Sequence, residues 1–87
     1  MDAKNRMVKE HLNNALKITA IADKHATEGL NESKDLLHHM AAIVSENEDF
    51  WNELTEAKWM VDEFITMMFR IKNLRKELEQ RYEFYED

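Results

Sequence analysis

Eleven positions in the last 38 residues set the strongest constraint on this chain. Phe50, Leu54, Ala57, Val61, Phe64, Met68, Ile71, Arg75, Leu78, Tyr82 and Tyr85 follow one another in steps of three and four, and Arg75 alone interrupts the series. On a helix those steps hold the side chains in one stripe, and a stripe sustained over five heptads is a coiled-coil-like packing surface. Proline is absent and glycine occurs once, at Gly29. β architectures turn on those two residues, so the sequence specifies an all-α chain of long helices.

Three helices are expected. From about residue 4 to 28 two adjacent stripes share helical spacing: Val8, Leu12, Ala15, Thr19, Ala22 and Ala26, and beside them Met7, His11, Asn14, Ile18, Ile21 and His25. Two neighbouring stripes make a wide face, suited to a helix that touches two partners rather than one. Gly29 stands where a left-handed residue closes a helix, and Asn31 where the next would be capped. A short second helix is expected over about 32 to 44, with Leu36, Leu37, Met40, Ile43 and Val44 on its apolar side. Ser45-Glu46-Asn47-Glu48 has the form of a capping box, which opens a third helix at about 49 that runs to 86. The heptad stripe lies on this third helix, flanked by Met60, Met67 and Leu74 on one side and by Trp51, Ile65 and Phe69 on the other.

Those bounds give helices about 38, 20 and 56 Å long. In an up-down-up arrangement the third helix outruns the other two beyond about Phe64, leaving an apolar overhang larger than monomers usually expose. A chain of 87 residues buries only about 60 to 65% of its unfolded surface, so its own core is marginal. The expectation is a single domain over residues 1–87: a helical hairpin plus a long C-terminal helix, closing into a dimeric helical bundle. The interface residues are Leu54, Val61, Phe64, Met67, Met68, Ile71, Leu74, Leu78, Tyr82 and Tyr85. They serve self-association, or docking on another protein.

Charge and chemistry exclude more than they assign. The net charge of −6 is uneven, +1 over residues 1–29, −4 over 30–49 and −3 over 50–87. Nucleic-acid binders usually carry a basic field. The one basic cluster, Arg70, Lys72, Arg75 and Lys76, spreads around its helix, so phosphate contact by a nucleic-acid-associated dimer is the second reading. No cysteine is present, which removes disulfides, thiolate nucleophiles and cysteine zinc sites.

His11 and His25 stand about 21 Å apart along their helix, too far to share an ion. His38 and His39 with Asp35 make one ligand pairing where a bundle metal site needs several. Acid pairs spaced by three occur at Glu32/Asp35, Glu46/Asp49, Glu53/Glu56 and Glu83/Glu86. Chance alone gives about 3.6 such pairs in this composition. All-helical nucleotide pyrophosphohydrolases hold magnesium with pairs of this kind, but these follow neither their order nor their spacing. A metal-dependent all-α hydrolase is therefore the third reading, and no catalytic residue, cofactor or metal is expected.

The N-terminus, Met1-Asp2-Ala3-Lys4-Asn5-Arg6, is charged with no apolar run behind it. No secretory signal or membrane span is expected, and the cytoplasm is the expected compartment. The leading reading is a small acidic non-enzymatic interaction module acting as adaptor, regulator or inhibitor. A viral or mobile-element product that occupies a host protein has this size and charge.

Overall fold

The computed structural model describes residues 3–85, and among these it contains helix and no strand. Helix α1 spans Ala3–Glu46, a single 3-10 turn covers Glu48–Phe50, and helix α2 spans Trp51–Glu83. The two long helices pack side by side and antiparallel in a rod of 66 × 14 × 14 Å. Its radius of gyration is 19.5 Å, where a compact chain of this length has about 12 Å.

The expected three helices are two. Gly29 does not close a helix: α1 runs through it without a break, and no described residue has a positive φ. The reason lies across the hairpin. A Cβ at Gly29 would overlap Cε1, Cζ and Cδ1 of the Phe64 ring. Glycine is here because a ring presses on the α1 backbone. A glycine inside a helix costs about 1 kcal/mol relative to alanine, and the close approach of Phe64 offsets it.

The reversal expected near residues 45 to 48 is present, with different chemistry. Ser45 stays in α1 and its hydroxyl donates to the Ala42 carbonyl oxygen at 2.6 Å. The cap is Asn47, whose φ of −149° and ψ of 105° leave the helical region. Its side-chain oxygen accepts from the Asp49 N–H at 3.0 Å, and its carbonyl accepts from the Phe50 N–H at 3.3 Å. Asparagine supplies a short acceptor that satisfies one free donor of the new turn. Glu48 and Asp49 then sit in the first turn, where the positive end of the dipole favours them. The expected end of the last helix at Glu86 lies outside the described residues.

The heptad stripe is the inner edge of α2. Leu54 and Ala57 are buried, at 6% and 2% exposure, and Val61, Phe64, Met68, Ile71, Leu78, Tyr82 and Tyr85 are half-buried. Arg75 is exposed and pairs with Glu79 at 3.2 Å. Opposite them, the alanine-rich first stripe of α1 forms the other wall, with Thr19, Ala26 and Ser33 buried. Small side chains on α1 let the larger ones of α2 come close. The Thr19 hydroxyl turns back to the Leu16 carbonyl at 2.7 Å, which satisfies it locally.

At Asp23 the packing leaves a fault, since its Oδ1 is buried with no hydrogen-bond partner. An unmet buried acceptor costs about 1–3 kcal/mol. We expect Asp23→Ala to raise the thermal midpoint by about 4–8 °C, the shift that about 1 kcal/mol produces in a domain of this size. An unchanged or lower midpoint in a calorimetric scan would show that the oxygen finds a partner in solution.

Continuity of α1 removes the length mismatch expected of three helices. Its 44 residues rise about 66 Å and the 33 of α2 about 50 Å, so α1 covers α2 from end to end and α2 has no overhang.

Candidate protein-interaction surface

A two-helix rod has one shared seam, and each helix keeps most of its circumference bare. Ala26, Leu54 and Ala57 are the buried hydrophobic residues among those described, and no large side chain is fully buried. The exposed area is 6948 Å², whereas a compact monomer of 10.4 kDa exposes about 5,400 Å². The excess is about 1,500 Å², as the elongated shape of the rod requires.

The second apolar stripe of α1 faces out. Ile18 is 62% exposed, and Met7 and Ile21 are nearly as bare. Its continuation includes Leu36 and Ile43, also exposed, while Leu37, Met40 and Val44 turn inward. The flank of α2 that shares this side follows from the opposite one, where a shallow groove of about 170 Å³ is lined by Leu30, Ile65, Met68, Phe69 and Lys72. Leu30 lies across the α1 seam from Ile18 and Ile21, so Ile65 and Phe69 flank the far side. Met60, Met67 and Leu74 therefore flank the near side, and all three are exposed. With the Gly29–Phe64 contact fixing the register, Leu74 stands within one residue of level with Ile18, and Met67 within one of His25. Eight of the fourteen large exposed hydrophobic side chains among the described residues lie on this one side: Met7, Ile18, Ile21, Leu36, Ile43, Met60, Met67 and Leu74. Concentration on one side is what separates an interaction surface from scattered exposed apolar residues.

Of the ten residues expected at an interface, eight are spent within the hairpin, namely Leu54, Val61, Phe64, Met68, Ile71, Leu78, Tyr82 and Tyr85. Met67 and Leu74 remain on the outside. Ile18, Ile21, Leu36 and Ile43, which the sequence reading left out of the interface, join them. The signal was present in the doubled stripe of α1.

Three residues of the basic cluster, Lys72, Arg75 and Lys76, line one shallow groove with Phe69, Asn73 and Glu79, whereas Arg70 borders another with Asp62, Glu63, Thr66 and Met67. Arg75 is held by Glu79, an i,i+4 pair of ordinary helix surfaces. Lys58 and Lys9 lie over the rings of Trp51 and Tyr82, at 5.7 and 5.5 Å, and cover aromatic surface by cation–π contact.

His38 and His39 meet edge to face at 5.6 Å on the exposed surface of α1. His25 approaches Glu28 at 3.9 Å. Among the described residues no three His, Asp or Glu side chains are grouped to hold a metal ion. Nor is any described helix long and apolar enough to cross a membrane. No protein family, no curated protein and no solved structure matches this chain.

Proposed function

We propose that this chain is a small, acidic, non-enzymatic protein-interaction module that works as half of a larger helical bundle. One observation carries the reading: a hairpin whose buried hydrophobic residues, among those described, are Ala26, Leu54 and Ala57 leaves a whole apolar side without cover. Isolated helices gain most of their stability from tertiary packing of an apolar face. A second helical surface laid on the bare side supplies that packing, as in a four-helix bundle. The function is docking, as an adaptor, regulator or inhibitor, and the surface that docks is the outer side of the hairpin rather than the heptad stripe of α2.

Stability of such a half-bundle depends on its complement by mass action. Thermal unfolding followed by circular dichroism over a hundredfold range of concentration should show a midpoint that climbs with concentration, together with a mass above that of one chain by light scattering. A well-folded monomer with one midpoint at every concentration, and no rise in that midpoint when a helical partner is added, would sink the reading. Charge on the outer side is the matching control. Met67→Glu should lower the midpoint toward that of the isolated hairpin while leaving the seam intact, whereas Met68→Glu would strike the hairpin itself.

A further inference from the structure

We infer that the complement is a second copy of this chain, laid head to tail on the side that carries Ile18, Ile21, Met67 and Leu74, about a two-fold axis near Ile21. The inference rests on the reading of that side as an interaction surface, and it names the partner and its orientation.

Position comes first. Ile18, Ile21, Met67 and Leu74 occupy levels equivalent to α1 residues 18–26 in the hairpin register, within about two helical turns of the midpoint of Ala3–Glu46. A two-fold axis through the patch therefore lays apolar on apolar and still overlaps the two rods along most of their length. In a two-fold interface the same patch meets itself, so a patch at the centre of the rod is self-complementary by placement.

Charge then selects the direction. Toward the turn this side carries Glu28, Glu32, Glu53, Glu56 and Glu63, all exposed. Toward the open end Lys4 and Arg81 are balanced by Glu10 and Glu77, all exposed, and Arg70 sits near the axis. Pairing turn with turn stacks acid on acid, which costs several-fold in affinity for each close pair. Pairing turn with open end sets Glu32 and Glu63 of one copy near Arg81 of the other. Complementary potentials of this kind fix orientation more than they add affinity.

Area is adequate. One side of a rod 66 Å long and 14 Å wide offers about 900 Å², against about 800 Å² per partner in a stable complex. A host protein could present a fitting surface too, but a second copy brings apolar centre onto apolar centre and Arg81 to the acidic turn by symmetry alone.

The chain has no cysteine, so single cysteines report geometry cleanly at exposed positions where folding is not at risk. Ile21→Cys should oxidise almost wholly to a disulfide-linked dimer. Phe69→Cys, on the opposite side and 63% exposed, should not. Glu32→Cys and Arg81→Cys should each stay uncrosslinked alone and form a mixed dimer when combined. In the otherwise native chain, Ile21→Glu with Met67→Glu should weaken self-association by about 100-fold, the loss expected for central interface residues.

Crosslinking of Phe69→Cys, or of Arg81→Cys with itself, would overturn this inference and leave the interaction reading standing. So would a native chain that stays a single copy but melts higher with an added helical partner. A folded native monomer with no dependence on concentration and no rise in midpoint with an added helical partner would overturn both.

Discussion

Gly29→Leu should lower stability by about 2 kcal/mol and the thermal midpoint by about 10 °C, although leucine is the better helix former. Two effects oppose each other at this position. Replacing glycine inside a helix gains about 1 kcal/mol. Forcing a side chain into occupied space costs about 1–3 kcal/mol, and more when the whole helix must be pushed aside. The Phe64 ring already stands where the first carbon would go, so the steric loss wins for leucine and roughly cancels the gain for alanine. Phe64→Ala alone should cost about 3 kcal/mol from lost burial and the space left behind. The informative measurement is the pair: Gly29→Leu in the Phe64→Ala background fills that space, and should recover about half of the loss. Contacting residues show such coupling and distant ones do not. If the two changes simply add in denaturant titrations at fixed concentration, the ring does not rest on Gly29. A hairpin-plus-helix topology closed by a left-handed Gly29 would then regain its claim.

That pair of residues also marks the limit of what the amino-acid order made legible. The seam of α2 was readable because it is local. Spacings of three and four fix which side chains share a stripe whatever the partner is, and Leu54, Ala57, Val61, Phe64, Met68, Ile71, Leu78, Tyr82 and Tyr85 all turn inward. The alanine-rich stripe of α1 was readable for the same reason, and Arg75 stands out of the seam as its charge requires.

The role of Gly29 was not readable. Glycine permits both a left-handed cap and a close helix contact, and only the position of Phe64, 35 residues later in the chain, decides between them. From that one misplacement followed the extra helix, the short second helix and the overhang. Leu36 and Ile43 were assigned inward by a stripe drawn for a separate helix. In continuous α1 the inward line passes instead through Ser33, Leu37, Met40 and Val44. At the turn, Ser45 and Asn47 both offer a capping oxygen. Ser45 instead bonds back to its own helix, a common choice for a hydroxyl near a helix end.

The same geometry carries the second large effect, a gradient of stability along the rod. The buried hydrophobic residues Ala26, Leu54 and Ala57, together with Ser33, lie in the middle and toward the turn. Toward the termini lies a groove of about 630 Å³ lined by Val8, Leu12, Glu77, Gln80, Arg81, Phe84 and Tyr85. Phe84 there is 87% exposed.

Leu54→Ala should therefore cost about 3 kcal/mol, the middle of the range for a well-buried leucine. Leu78→Ala, at a half-buried site beside the groove, should cost about 1 kcal/mol, because less area leaves water to begin with. Amide hydrogen exchange should show the same order. Protection should be highest from about residue 26 to 37 and from 54 to 64, and lowest at both ends of the chain, since local opening follows the density of buried contacts. Equal losses at Leu54 and Leu78, with even protection along both helices, would mean that the open end is closed in solution by something that covers the groove. The head-to-tail dimer predicts a particular version of that result. Protection at the open end would rise with concentration, and Ile21→Glu with Met67→Glu would remove the rise without touching the protection of Leu54.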